Sequence, residues 1–145
     1  MLTPDSFLKY AQKIITDPNI PEEEARTAIS RAYYSLYHET LKQMIKKYSL
    51  ALIKEIEREW SKPLSHIERE QLNALDPTFL QRVNFHRILP NVMRGMRNPV
   101  IANKIINFRE KRNQADYDLK ATFVYSDAQA IVQNIEGVIM TVKTL

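Results

Sequence analysis

The fold is decided by residues 22–48, which read EEEARTAISRAYYSLYHETLKQMIKKY. Apolar side chains recur in this segment at intervals of three and four residues, and neither Gly nor Pro interrupts it. Such spacing places them on one face of a helix, and the acidic residues 22–24 suit its positive amino-terminal end. We therefore predict a long amphipathic helix, whose apolar face consists of Ala25, Ile29, Ala32, Tyr33, Leu36, Thr40, Leu41 and Met44.

Capping residues and prolines mark helices on both sides of this segment. Thr3 and the proline after it predict the start of a first helix, which residues 17–21 end. Asn98 and the proline after it predict the start of another helix, which continues to about Ala115. Residues 126–129 read as a capping box and predict the start of the last helix.

The middle of the chain is also predicted to be helical. We expect helices over residues 50–60, over residues 65–75 and from residue 76 to about residue 96, where Pro90 must interrupt or bend the helix. Residues 116–125 are expected to form a connector. Because the loops are short, we predict one all-α domain over residues 1–145, an up-and-down antiparallel bundle of four to five main helices.

Composition excludes several classes of site and protein. The 145 residues contain two Gly and no Cys, so phosphate-cradling glycine loops, disulfides and thiolate metal sites are excluded. No apolar run approaches the roughly 20 residues of a membrane span, and the N-terminus lacks the pattern of a signal peptide. We expect a cytoplasmic protein that does not contact a membrane and carries neither a metal nor a cofactor.

Positive charge is concentrated before one polar cluster. The net charge is only +4, but residues 82–112 contain eight bases and a single acid, Glu110. The tract ends in Arg112-Asn113-Gln114-Ala115-Asp116-Tyr117. A basic segment that ends in such a cluster is suited to a ligand that bears phosphate.

Arg112 lies on an otherwise apolar helix face, together with Ile101, Ile105 and Phe108. A guanidinium in that position must be paired or must face a ligand cleft, because an unpaired buried charge is costly. Asp116, four residues on, is its natural ion-pair partner. A structural ion pair and a ligand-binding arginine both remain open.

A second constellation, residues 31–38, lies on the long helix and reads RAYYSLYH. Tyr33 and Leu36 belong to its apolar face, and Tyr34 and His38, four residues apart, share a neighbouring face. Tyrosines on a core helix are usually packing residues, and a lone histidine is more often a structural partner than a catalyst. Catalysis is the alternative interpretation.

The two motifs together resemble the HEPN superfamily, the higher eukaryote and prokaryote nucleotide-binding domains. They occur in the order Arg-Ala-Tyr-Tyr-Ser-x-Tyr-His, then Arg-Asn-x-Ala-Asp-Tyr, and are most similar to those of small stand-alone prokaryotic members. The resemblance implies a helical bundle that forms a homodimer, with a cleft at the interface. It also implies metal-independent endoribonuclease activity, typical of toxins with a nucleotidyltransferase antitoxin and of phage-defence proteins.

Carried over to this chain, the hallmark arginine is Arg112, and Asn113 is the polar residue that follows it. The hallmark histidine follows the arginine after four to six intervening residues, and its position, after residues 113–116, is taken by Tyr117. A histidine titrates near neutral pH and transfers protons readily, whereas a tyrosine with a pKa of about 10 is a poor base. His38 or His86 would be a substitute, but the sequence does not place either beside Arg112.

The resemblance assigns a role to each candidate residue in an RNA-directed toxin or defence endoribonuclease. Arg112 would stabilise the scissile phosphate, Asn113 and Asp116 would orient the phosphate and the arginine, and Tyr117 would donate a hydrogen bond. The expected RNA- or phosphate-binding residues are Arg31, Tyr34, Arg109 and Lys111. Tyr117 is also a candidate target for nucleotidylylation by a partner enzyme. The alternatives are a non-catalytic module that binds nucleotide, RNA or a partner protein in the same cleft, and a structural helical adaptor.

Overall fold

The computed structural model describes residues 3–145, which form an all-α protein without strands in that range. Eight helices occur within it. In chain order they are α1 (Pro4–Ile14), α2 (Glu22–Lys47), α3 (Ser49–Trp60), α4 (His66–Asn73), α5 (Pro77–Leu80), α6 (Phe85–Gly95), α7 (Pro99–Tyr117) and α8 (Tyr125–Lys143).

The predicted caps of α1 and α7 are confirmed. The Thr3 hydroxyl accepts a hydrogen bond from the backbone N–H of Ser6 at 3.2 Å, and the Asn98 side chain accepts one from Ile101 at 3.3 Å. Each helix then begins with a proline, which lacks the N–H that would otherwise have no partner there. The start of α7 matters most, because it sets which of its side chains face α2.

The predicted helix from residue 76 to residue 96 is wrong as one element. It consists of α5 and α6, separated at residues 81–84, and Pro90 lies within α6. Phe79 and Phe85 are both fully buried, yet on one continuous helix they would project about 120° apart. The break lets both rings enter the core.

The predicted capping box at the start of the last helix is also wrong in detail. α8 begins at Tyr125, and its N-cap is Val124, whose side chain has no acceptor atom. The Asp127 carboxylate instead accepts a hydrogen bond from the Val124 backbone N–H at 3.2 Å. The capping hydrogen bond therefore comes from Asp127 in the first turn, and not from Ser126 and Gln129 as the sequence predicts.

α2 lies at the centre and contacts α1, α3, α4, α6, α7 and α8. Arg26, near its start, reaches backbone carbonyls at the end of α7, so α2 and α7 run antiparallel. Lys47, at its end, donates to the carbonyl of Lys143 at the end of α8, so α2 and α8 run parallel. A short loop makes two helices antiparallel only when they are adjacent in sequence. The predicted antiparallel arrangement therefore does not hold for α2 and α8.

The core consists almost entirely of apolar side chains around α2, with few buried polar residues. Among the described residues, the buried polar or charged ones are Ser35, Glu39, Thr40, Gln43 and Arg112. Arg112 is the one arginine of that set, and it lies where α7 packs on α2. Within residues 3–145, no helix is both long and apolar enough to cross a bilayer.

Candidate functional site

Arg112 is a buried charge on the core-facing side of α7, with only 7% of its surface exposed. The same side of the helix buries Ile101, Ile105 and Ala115 against α2. A guanidinium desolvated to this degree needs compensation from the groups around it. Its neighbours therefore determine what the site is able to do.

Two tyrosine rings of α2 and one carboxylate surround the Arg112 guanidinium. Its central carbon lies 5.4 Å from the ring centroid of Tyr33 and 5.4 Å from that of Tyr34, so both contacts are cation–π interactions. Nη1 lies 3.5 Å from an Asp116 carboxylate oxygen, which also accepts from the Ser30 hydroxyl at 3.3 Å. The ion pair expected from the spacing is present, but it is long and shared.

Arg109 lies one turn before Arg112 and extends the same positive region. Its charge acts on both Tyr33 and His86. The Nε–H groups of Arg109 and Arg112 are buried and meet no acceptor among residues 3–145. Both arginines thus keep donor capacity that the chain itself does not use.

His86, on α6, joins this region through Tyr33. The Tyr33 hydroxyl and His86 Nδ1 share a hydrogen bond 2.5 Å long, and the two rings stack with centroids 5.6 Å apart. The centroid of the Tyr37 ring lies 4.6 Å from that of His86. Packing of α6 on α2 therefore brings a histidine to Tyr33, one of the two tyrosines that contact Arg112.

Burial keeps these side chains uncharged at neutral pH. Burial, followed by the positive charges of Arg112 and Arg109, lowers the pKa of His86 to about 4. Burial also lowers the pKa of His38, raises the pKa of Tyr37 to about 12 and raises the pKa of Tyr33 above its usual value. The two imidazoles are neutral proton acceptors, and the phenols are hydrogen-bond donors.

His38 completes a continuous set of ring contacts. Its ring stacks on Phe7 of α1 at 5.5 Å and meets the Tyr37 ring edge-on at 5.0 Å. Its centroid lies 6.3 Å from that of Tyr34. We name five of these residues the aromatic cluster: Tyr33, Tyr34, Tyr37, His38 and His86.

A groove opens beside the aromatic cluster, between α1, α2 and α5. Its volume is about 580 Å³. Aromatic and other apolar side chains line most of it, and a cation and an amide contribute polar groups. The lining residues used below are Phe7, Tyr37, His38, Lys42, Leu80 and Gln81.

The structure brings some of the residues predicted for the site together. Arg112, Asp116 and Tyr34 are in direct contact, and Arg109 is close enough to act on the same groups. His38 connects to Arg112 through Tyr34. Asn113 follows Arg112 on α7 and is partly exposed.

Three other predicted residues lie apart from Arg112. Tyr117 is 73% exposed, and its position on α7 is about 140° round the helix axis from that of Arg112. Lys111 lines a separate depression between α7 and α8. Arg31 is exposed and lines a shallow depression beside Asp116, on the solvent side of the ion pair.

Arg26 supports the candidate site through contacts that the sequence did not reveal. Its guanidinium donates to the carbonyls of Gln114, Ala115 and Asp118, each at 3.0 Å, and to that of Ala121. These carbonyls end α7 and begin the connector, where helical hydrogen bonds run out. Arg26 therefore fixes the segment that carries the Arg112 motif, and no local spacing signals a contact of this sequence separation.

Metal-binding groups do not converge in the described part of the chain. No cluster of three His, Asp or Glu side chains with suitable geometry occurs within residues 3–145. His66, which has Glu68 and Glu70 nearby in sequence, forms an exposed contact with Glu70, with Nε2 2.9 Å from a carboxylate oxygen.

Comparison with known proteins yields no match, whether with family models, curated proteins or solved structures.

Proposed function

We propose that this chain is a HEPN-type, RNA-directed endoribonuclease of the toxin or defence class. It works in the cytoplasm as a homodimer and cleaves RNA without a metal ion. The observation that carries the proposal is the contact set around Arg112: a desolvated guanidinium lies on two tyrosines, and one of them is hydrogen-bonded to a neutral histidine. In a toxin of this class, a nucleotidyltransferase antitoxin is the expected partner.

The chemistry of RNA cleavage fits these groups. The reaction needs a base for the 2′-hydroxyl, positive charge for the phosphorane and an acid for the leaving 5′-oxygen. Arg112 supplies the charge through its planar set of donors. His86 and His38 are neutral at pH 7, so one of them can take the 2′-hydroxyl proton, and the imidazolium that forms returns a proton to the leaving 5′-oxygen. Asn113 and Asp116 orient the phosphate and the arginine, and Arg109 attracts the RNA backbone.

Tyr117 has a different role in this proposal from that of the histidine it replaces. With 73% of its surface exposed, its hydroxyl is open to RNA or to a modifying enzyme. We expect nucleotidylylation at this hydroxyl when a cognate nucleotidyltransferase is co-expressed. The intact mass should then increase by one nucleotidyl group in the wild type and stay constant in Tyr117→Phe. An unchanged wild-type mass would contradict this part of the proposal.

The second candidate is a non-catalytic module that binds nucleotide, RNA or a partner protein at the same place. Two observations favour it: Arg112 is already paired with Asp116, and Tyr117 does not reach it. Such a module would bind RNA in a saturable manner that weakens as salt is raised, with no turnover.

One experiment separates the two candidates. Purified protein is incubated with total RNA and with tRNA in the presence of EDTA, and wild type is compared with Arg112→Ala. Arg94→Ala is the matched control, because Arg94 belongs to the same basic tract but is exposed and makes a single contact, with Asn103. We expect cleavage by wild type and Arg94→Ala only. Binding without cleavage by all three proteins would favour the non-catalytic module, and cleavage by Arg112→Ala would refute the proposed centre.

A further inference from the structure

The groove between α1, α2 and α5 has the shape and lining of a binding site for a flat ring. Phe7 and His38 form one wall as a stacked pair, with centroids 5.5 Å apart and ring planes 15° apart. Tyr37 and Leu80 add further apolar surface. A volume of about 580 Å³ lies within the range of small-molecule sites, which bury most of the ligand against apolar and aromatic walls.

A few polar groups in the groove are suited to the edges of such a ring. Gln81 carries both a donor and an acceptor, and the neutral imidazole of His38 also offers both. Lys42 places a positive charge at the same groove. A nucleobase presents a flat face and mixed donors and acceptors at its edge, and its backbone is anionic.

The groove and the proposed phosphate site are linked by ring contacts. Tyr34 lies between them: its centroid is 6.3 Å from that of His38 and 5.4 Å from the Arg112 guanidinium carbon. Cations thus lie on both sides of the rings, with Lys42 at the groove and Arg109 and Arg112 on α7. Aromatic faces alternating with positive charge are the usual means of binding a single strand.

We infer that this groove receives one unpaired base of a single-stranded RNA whose adjacent phosphate lies at Arg112. The inference rests on the proposed function for its choice of RNA as the ligand. A base that is paired and stacked within a duplex cannot place its face against the ring of Phe7. The substrate is therefore an unpaired segment, such as a loop or an end.

The test measures binding separately from cleavage. The probe is a fluorescent 2′-O-methyl single strand, which cannot be cleaved because its 2′-hydroxyl is blocked. Fluorescence anisotropy in EDTA compares it with a blunt duplex of the same sequence. We expect the single strand to bind at least tenfold more tightly than the duplex.

Variants of Phe7 locate the base. Phe7→Ala removes the ring, Phe7→Leu keeps apolar volume but loses the flat face, and Phe7→Tyr restores the face. The first two should weaken single-strand binding about 5- to 100-fold, which corresponds to the loss of one stacking contact, and the third should restore it. Phe108→Ala is the matched control, because Phe108 is equally half-buried and lines a groove of about 600 Å³ away from the aromatic cluster. Circular dichroism establishes that each variant is folded.

Parallel cleavage assays with unmodified RNA keep the two proposals distinguishable. Cleavage by wild type, together with unchanged binding by folded Phe7→Leu, would overturn the base site and leave the endoribonuclease standing. Selective binding that Phe7→Leu weakens, without any cleavage, would support the base site and remove the endoribonuclease. Equal affinity for single strand and duplex, equal loss in Phe108→Ala, or no binding at all would each overturn the inference.

Discussion

One helix, α7, carries cations on two faces, and the two faces have different surroundings. On the side toward α2 and α6, Arg112 is buried against two tyrosine rings, and Arg109 is half-buried nearby. On the side toward α8, Lys104 and Lys111 are exposed and line two depressions of about 600 and 340 Å³ among amide and hydroxyl side chains.

The difference shows that position, more than the number of charges, separates a candidate site from a solvated surface. An exposed ammonium keeps its water and contributes mainly long-range attraction. A buried guanidinium has lost its water, so its interactions with rings and anions are stronger and depend on exact geometry. Four predictions test this contrast, in order of decreasing effect.

Substitutions that conserve charge should show the largest difference between the two faces of α7 in the rate of RNA cleavage. Arg112→Lys keeps the charge but replaces a planar group that spans two rings with a compact ammonium. We expect the RNA cleavage rate to fall about 100- to 1000-fold, as when a preorganised donor to the transition state is removed. Lys111→Arg should leave the rate unchanged. Equal effects of the two exchanges on single-turnover cleavage would contradict the contrast.

Loss of Arg26 should destabilise the end of α7. Arg26→Ala leaves carbonyls of the last turn and the connector without their donor, so the free energy of unfolding should fall by about 2–3 kcal/mol. Urea denaturation measures this change, and hydrogen exchange should accelerate selectively over residues 113–121. Arg58→Ala is the control, because Arg58 forms an exposed pair with Glu55 on α3. Exchange that stays uniform along the chain would show that Arg26 does not act on this segment.

His86 should make stability depend on pH. Its pKa of about 4 in the folded protein lies below the value of about 6.5 expected when unfolded, so the unfolded chain binds more protons between these values. Stability should therefore be complete above about pH 6.5 and fall by about 1–2 kcal/mol as pH decreases toward 4, after allowance for partial exposure.

The imidazole proton resonances and urea denaturation at several pH values measure this effect. The groups around His86 are Tyr33, Tyr37 and His38 on α2, and Arg109 and Arg112 on α7. His86→Asn should flatten the pH profile, and His66→Asn, which alters an exposed pair on α4, should not. A His86 resonance that titrates near pH 6.5 would disprove the desolvation of the cluster.

Substitution of Gly137 should have the smallest effect on the free energy of unfolding, and it tests the side of α7 that faces α8. It lies inside α8 at the larger depression, and a Cβ built there meets nothing within 4 Å. Gly137→Ala should raise the free energy of unfolding by about 0.5–1 kcal/mol, because glycine is unfavourable inside a helix. RNA binding should not change. Loss of RNA binding in this stabilised variant would mean that the depression, too, contacts the ligand.

Much of the fold could be predicted from the sequence, because the signals are local. Apolar spacing predicts α2, and Thr3 and Asn98 mark the starts of α1 and α7 correctly. The break at residues 81–84 was missed, since burial of Phe79 and Phe85 on the same core depends on packing between helices. The start of α8 was misplaced because one acid at residue 127 suffices to satisfy the cap.

In the candidate site, too, local contacts could be predicted from the sequence and contacts between helices could not. Contacts of residues four apart on one helix, such as Arg112 with Asp116 and Tyr34 with His38, follow from spacing. The pairing of Tyr33 with His86 does not, because it spans 53 residues and depends on how α6 packs against α2. The family pattern places Tyr117 where the histidine would be, whereas His86, the histidine on which the charge of Arg112 acts, comes from α6.

The central position of α2 has a consequence for synthesis on the ribosome. Arg26 contacts a carbonyl 95 residues later in the chain. The rings of Tyr33 and Tyr34 contact Arg112, which is synthesised only with α7. At about 5–20 residues per second, roughly 5–20 s separate the emergence of the two partners. The guanidinium–tyrosine contact therefore forms late, and a nascent chain remains without this site until α7 has emerged and packed.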